Sequence, residues 1–236
     1  MADLLKPYRG PLTLVQIADG MNSATANAAR LANDARLLLE NGRWPTAASV
    51  AALSIEESGK VVILRRFLLA SKEEVGTLWK EYRSHTKKNL NWIVPDLVAK
   101  GARSIEDFRP IADKTSDHPQ VLDALKQLGF YTDCLGEAHW SLPTDVVDEA
   151  LARSLVATAQ LLAPERKIPV RELELWVKHL GPVWKKNNEW MKKALANWYA
   201  DMQAEGLAPA GANKMDAFVK HGLTITQAEQ LKGTKS

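Results

Sequence analysis

The sequence predicts an all-α protein, with a helical bundle over residues 11–163 and appended helices and a tail over residues 165–236. Three observations lead there. Alanine and leucine, both strong helix formers, make up roughly a quarter of the chain. Apolar residues recur at the three-and-four spacing of a helix face. β-Branched runs are scarce, and no strand pattern competes.

Leu14, Ile17, Met21, Ala28, Leu31, Ala35 and Leu38 define a long first helix, which Asn41 and Gly42 stop. Pro45 suits the first turn of a second helix that runs to about residue 70. Apolar residues surround this helix almost completely, which marks it as central. Ser71 and Glu74 form a capping box for a third helix over residues 72–93, with Pro95 disturbing its end. Residues 102–120 read as a connection. A fourth helix covers 121–128 and stops at Gly129; residues 130–143 read as irregular. Thr144 and Asp145 open a fifth helix, which Pro164 closes. Gly181-Pro182 divides the helical pattern of the last third, and a short helix is expected near 216–220.

Charge excludes several classes. The chain has 236 residues, with 31 Lys or Arg against 28 Asp or Glu, a formal charge of +3. That is neither histone-like nor acidic and disordered. A lone cysteine, Cys134, excludes a disulfide framework and a cysteine-based zinc site. The first residues lack the apolar core of a signal peptide, and no run approaches the roughly 18 apolar residues of a membrane span. A cytoplasmic location and no membrane partner are therefore expected.

Glu56-Glu57-Ser58-Gly59-Lys60 lies on the helix expected to be central. Adjacent carboxylates on a buried helix are costly unless paired. Glu56 and Lys60 stand four apart and can pair locally, which leaves Glu57 in need of a partner. Gly59 offers room for a close helix approach. The next helix supplies Arg83, His85, Lys87 and Lys88, which can neutralise the carboxylates or hold a phosphate. His85 suits acid–base work near neutral pH. With Ser71 as the turn, Glu57 and His85 are equally distant along antiparallel helices and are expected at one height. The cluster reads either as a structural ion-pair network or as a polar site.

Gly42-Arg43-Trp44, Glu56-Glu57-Ser58-Gly59-Lys60, Tyr82-Arg83-Ser84-His85-x-x-Lys88, Tyr131-Thr132-Asp133 and Trp140-x-x-Pro143, in that order, resemble the AbiV family of abortive-infection proteins. The likeness covers roughly residues 26–160. It implies a HEPN-like helical bundle, a bacterial antiviral role, a homodimer, and a phage-encoded protein as trigger or target. Many HEPN-type proteins are ribonucleases whose Arg precedes a His by five to seven residues on one helix. Here Arg83 precedes His85 by two, which turns the side chains apart, and no other histidine has an Arg at that distance.

The leading expectation is therefore a defence protein working through protein contacts. The alternative is a metal-independent ribonuclease, with RNA as partner. In it Glu57, Arg83, His85 and Lys88 carry the chemistry and Glu56, Lys60 and Lys87 complete the cluster. No cofactor or metal is expected, since phosphate-loop, dinucleotide and His-rich metal motifs are absent.

From residue 165 onward the chain carries 12 Lys or Arg against 8 Asp or Glu. Trp176, Trp184, Trp190 and Trp198 fall on one helical stripe, with Lys178, Lys185, Lys192 and Lys193 opposite. The pattern reads as a core stripe backed by a solvated basic face.

Overall fold

A computed structural model describes residues 6–232. Its first helix, α1 (Leu14–Glu40), starts where Thr13 accepts from the Gln16 N–H while the Gln16 side chain returns to Thr13. It ends at Asn41, and Gly42 takes the positive φ that releases the chain. α2 (Trp44–Phe67) follows with Pro45 in its first turn. Its last turn carries Arg65 and Arg66 at the negative end of the helix dipole.

α1 and α2 meet along a seam of small residues. Ala28, Ala32 and Ala35 face Ala47, Ala48, Ala51 and Ala52, all buried. Ser54 donates across the seam to the Ala28 carbonyl at 2.7 Å. These alanines let the backbones approach closely at this end of the pair, and Leu122, Leu155 and Val156 close the core around them.

The expected third helix is broken. α3 (Lys72–Arg83) has its Ser71–Glu74 capping box, but Ser84 is extended, with ψ 129°, and caps a separate short helix, α4 (His85–Lys88). A 3₁₀ turn (Leu90–Ile93) leads into α5 (Val94–Ala99). Pro95 thus opens a helix rather than disturbing one. The connection that follows holds a 3₁₀ segment (Ile105–Ala112).

α6 (His118–Phe130) runs past Gly129, which was expected to stop it. Gly129 is instead a packing position: a Cβ there would lie 2.2 Å from Ser49 Oγ and 2.8 Å from the Pro45 carbonyl. Residues expected to be irregular form a hairpin, β1 (Asp133–Leu135) antiparallel to β2 (His139–Ser141), with Cys134 opposite Trp140. α7 (Pro143–Val146) is separate from α8 (Glu149–Leu162), because Asp148 turns out of the helix and caps the Leu151 N–H.

α9 (Val170–Leu180) and α10 (Asn188–Ala204) form the appended pair, joined by a 3₁₀ turn (Gly181–Val183). α11 (Lys214–His221) and α12 (Ile225–Leu231) complete the described chain. The appended pair is anchored in the bundle. Ile168 and Leu173 belong to the core that Ile17, Met21, Leu64 and Trp79 form. Asn22 holds the Ile168 backbone at both its N–H and its carbonyl. Fully buried Glu172 meets Arg65 of α2 and Arg166. Trp176 and Trp198 pack edge to face beside Arg65. Trp190 departs from the expected core stripe: it is 61% exposed.

Candidate functional site

Three helices converge on Glu56. It sits on the buried side of α2, three residues before Gly59, so both face the same neighbour. A Cβ at Gly59 would fall 2.0 Å from the Lys88 carbonyl. Only glycine admits the backbone of α4 at that distance, and this approach carries His85 and Lys88 onto the Glu56 carboxylate. From the other side α6 brings Asp123 and Lys126.

Glu56 is 3% exposed. Its Oε2 lies 2.8 Å from His85 Nδ1 and 3.3 Å from Lys88 Nζ. Its Oε1 accepts from Lys126 Nζ at 2.5 Å. Lys126 also donates to Asp123 Oδ1 at 2.6 Å and lies 3.4 Å from His85 Nδ1. Two buried ammoniums thus meet two carboxylates, and the imidazole caps the group with its side chain 59% exposed. The position of α4 on α6 is fixed nearby. Asn89 donates to the Pro119 carbonyl at 3.2 Å, and the Trp92 indole donates to the His118 carbonyl at 2.9 Å.

Burial opposes ionisation of Glu56. Hydrogen bonds from Lys126 and His85, with the charges of Lys126 and Lys88, outweigh it and hold the carboxyl below its ordinary value. Burial likewise opposes the charge on Lys126, but Asp123 and Glu56 raise its pKa. For Lys88 burial wins: its pKa falls despite the attraction of Glu56.

Glu56, His85 and Asp123 each offer a ligand atom within 4.8 Å of the others, an arrangement that would suit a cation. The ammonium of Lys126 already stands among them, within hydrogen-bond distance of both carboxylates. A metal would have to displace it, so the donor set does not fit a resident ion.

The sequence expectations divide here. His85 and Lys88 reach the site as expected. Glu57 does not: it pairs with Lys60 one turn along α2, and Lys60 lies over the Tyr82 ring at 5.3 Å. The local pair is therefore Glu57–Lys60 rather than Glu56–Lys60, and Glu56 is the buried acid. Arg83 is also elsewhere. It stacks over Trp79 at 4.9 Å and donates to the Trp79 and Tyr8 carbonyls. Lys87 is exposed and, with Lys88 and Gly59, lines an adjoining cleft of about 300 Å³.

Asp123 and Lys126 were missed. The signal was legible: Leu122, Lys126 and Gly129 share the buried stripe of α6, so a lysine occupies a core position. Such a lysine requires a buried acid.

Comparison with curated proteins gives no match, nor does comparison with solved structures. The family model for AbiV, a HEPN-type family, matches residues 16–164. That span runs from α1 to the end of α8 and contains all three helices of the site. On that match the chain belongs to the AbiV family of HEPN-type abortive-infection proteins.

Proposed function

We propose that this protein defends a bacterial cell against phage from the cytoplasm, as a homodimer acting through protein contacts on its HEPN-like scaffold. Family membership supports the defence role. The observation that carries the contact mechanism is the separation of Arg83 from His85. Arg83 is held by Trp79 and Tyr8, and His85 is held by Glu56. Lys88 and Lys126 both face Glu56 and are buried, so neither presents a free charge to a phosphate. The hairpin supplies a contact surface, with Trp140 70% exposed and Tyr131 and Leu142 exposed beside it in sequence. A phage-encoded protein is the expected trigger or target.

Phage plating on cells with and without the gene tests the role. Reduced plating that survives His85→Ala supports contact-based defence. Equal plating across a broad phage panel overturns it.

One observation favours a second reading. His85 is exposed while its Nδ1 is held by a buried carboxylate, the orientation that leaves Nε2 available as an acid or base. A metal-independent ribonuclease would use His85 for proton transfer, with Glu56 orienting it. Purified protein incubated with total RNA, with and without chelator, tests this. Chelator-resistant cleavage lost in His85→Ala establishes it; intact RNA with protein from both resting and infected cells removes it.

A further inference from the structure

The exposed end of α10 has a composition that the core-stripe expectation does not explain. Trp190 presents a bare indole, and Lys193 Nζ lies over its ring at 6.0 Å. That separation is at the limit of a cation–π contact, so the lysine is loosely held there. Within the same turn region Lys185, Lys186, Lys192 and Lys193 oppose a single acid, Glu189. Lys192 is engaged by Glu106 and Glu189, and Lys185 by Glu74. Lys186 and Lys193 have no carboxylate partner among the described residues. The other face of α10, with Asn188, Met191 and Lys192, looks onto Glu106 and Arg109 across a cleft of about 170 Å³, which leaves Trp190 and Lys193 on the open side.

An exposed aromatic face beside unpaired cations is the chemistry that holds a single strand: a base stacks on the ring and the cations meet its phosphates. We infer that Trp190, with Lys186 and Lys193, forms a binding surface for single-stranded nucleic acid. The base takes the ring face that Lys193 overlies, and the displaced ammonium turns to the adjacent phosphate. An acidic peptide would satisfy the cations but leaves the open indole unexplained. The surface lies outside residues 16–164, is independent of the Glu56 site, and does not rest on the proposed mechanism.

The test is fluorescence anisotropy of a labelled single-stranded oligouridine with the full chain, over a range of salt. Binding is expected to weaken steeply with salt, by a logarithmic slope of about 0.7 per phosphate contacted. Trp190→Ala should weaken binding about tenfold, while Trp190→Phe, which keeps a stacking face, retains most of it. Lys186→Glu with Lys193→Glu should lower both affinity and salt slope. These side chains are exposed, and circular dichroism checks that the fold is unchanged. The inference is overturned by absence of binding at low salt, by equal binding of Trp190→Ala, or by equal displacement with polyglutamate. The last outcome would assign the surface to acidic protein chains. None of these results depends on phage plating or RNA cleavage, so this inference and the proposed function fail separately.

Discussion

His85 Nδ1 and Glu56 Oε2 lie 2.8 Å apart, joining an exposed imidazole to a carboxylate that solvent barely reaches. The pair spans α4 and α2, and the same carboxylate holds Lys126 of α6. Glu56 is therefore the hub of the three helices, and its neighbour Glu57 is not.

Replacing the two acids should separate them. Glu56→Ala leaves Lys88 and Lys126 buried without their shared partner and should cost about 3–5 kcal/mol. Glu57→Ala removes a partly exposed pair with Lys60 and should cost at most about 1 kcal/mol. Chemical denaturation measures both. Glu56→Ala combined with Lys126→Met should be less damaging than the two changes summed, since they share one interaction. Equal costs for the two acids would show that the hub is misassigned.

Acid should act through Glu56. Burial alone would raise its pKa, but its hydrogen bonds and charged partners win, and it lies below the ordinary 4.5. A depressed folded value means the stabilisation is complete above 4.5 and fades as pH falls through that lower value. The stability difference between the natural protein and Glu56→Gln should therefore shrink on acidification below 4.5. On the alkaline side the raised Lys126 contributes fully below 10.5, and its contribution is lost as pH climbs through its higher folded value. Melting curves across pH decide this, and a difference that stays constant into acid refutes it.

Three glycines should respond differently to alanine. At Gly59 the new methyl meets the Lys88 backbone, so α4 must move; a loss of about 1–3 kcal/mol is expected, with His85 displaced from Glu56. Gly129→Ala meets Ser49 and the Pro45 carbonyl and should be similarly costly. Gly76 lies exposed in α3 with nothing within 4 Å of its added methyl. There alanine should stabilise by about 0.4–1 kcal/mol. Thermal melts of the three variants give the ranking directly.

Cutting the chain after residue 164 should damage the bundle. The truncation removes Ile168 and Leu173 from a core that includes Met21 and Trp79, and leaves Arg65 without Glu172. The shortened protein should melt lower or aggregate, as light scattering would show. A truncated chain as stable as the whole would mean that the appended helices contribute nothing to the bundle.

Much of this fold is written in local signals. The α1 and α2 stripes, the Asn41-Gly42 stop and the Ser71–Glu74 box follow from spacing and capping, and all appear. The break at Ser84 escaped because the sequence on either side reads as helix, and a serine serves in a helix interior or as a cap. Strands of three residues are too short for alternation to register, so the hairpin escaped too. Gly129 carried the composition of a stop, but its role is set by Ser49 and Pro45, far away in sequence. The site was half legible for the same reason. Periodicity indicated a polar cluster between neighbouring helices, whereas the choice of Glu56 over Glu57 depended on where α6 delivers Lys126.

Lys126 has a consequence beyond stability. The positive charge at the centre of the acidic group is tethered to a helix rather than drawn from solution. Chelators cannot strip it, and divalent-ion levels in the cell do not set its occupancy. Its position is set by α6, which carries it, and by Glu56 of α2, which holds it. The charge that neutralises Glu56 is thus built into the chain, and the site is complete as soon as α6 packs on α2.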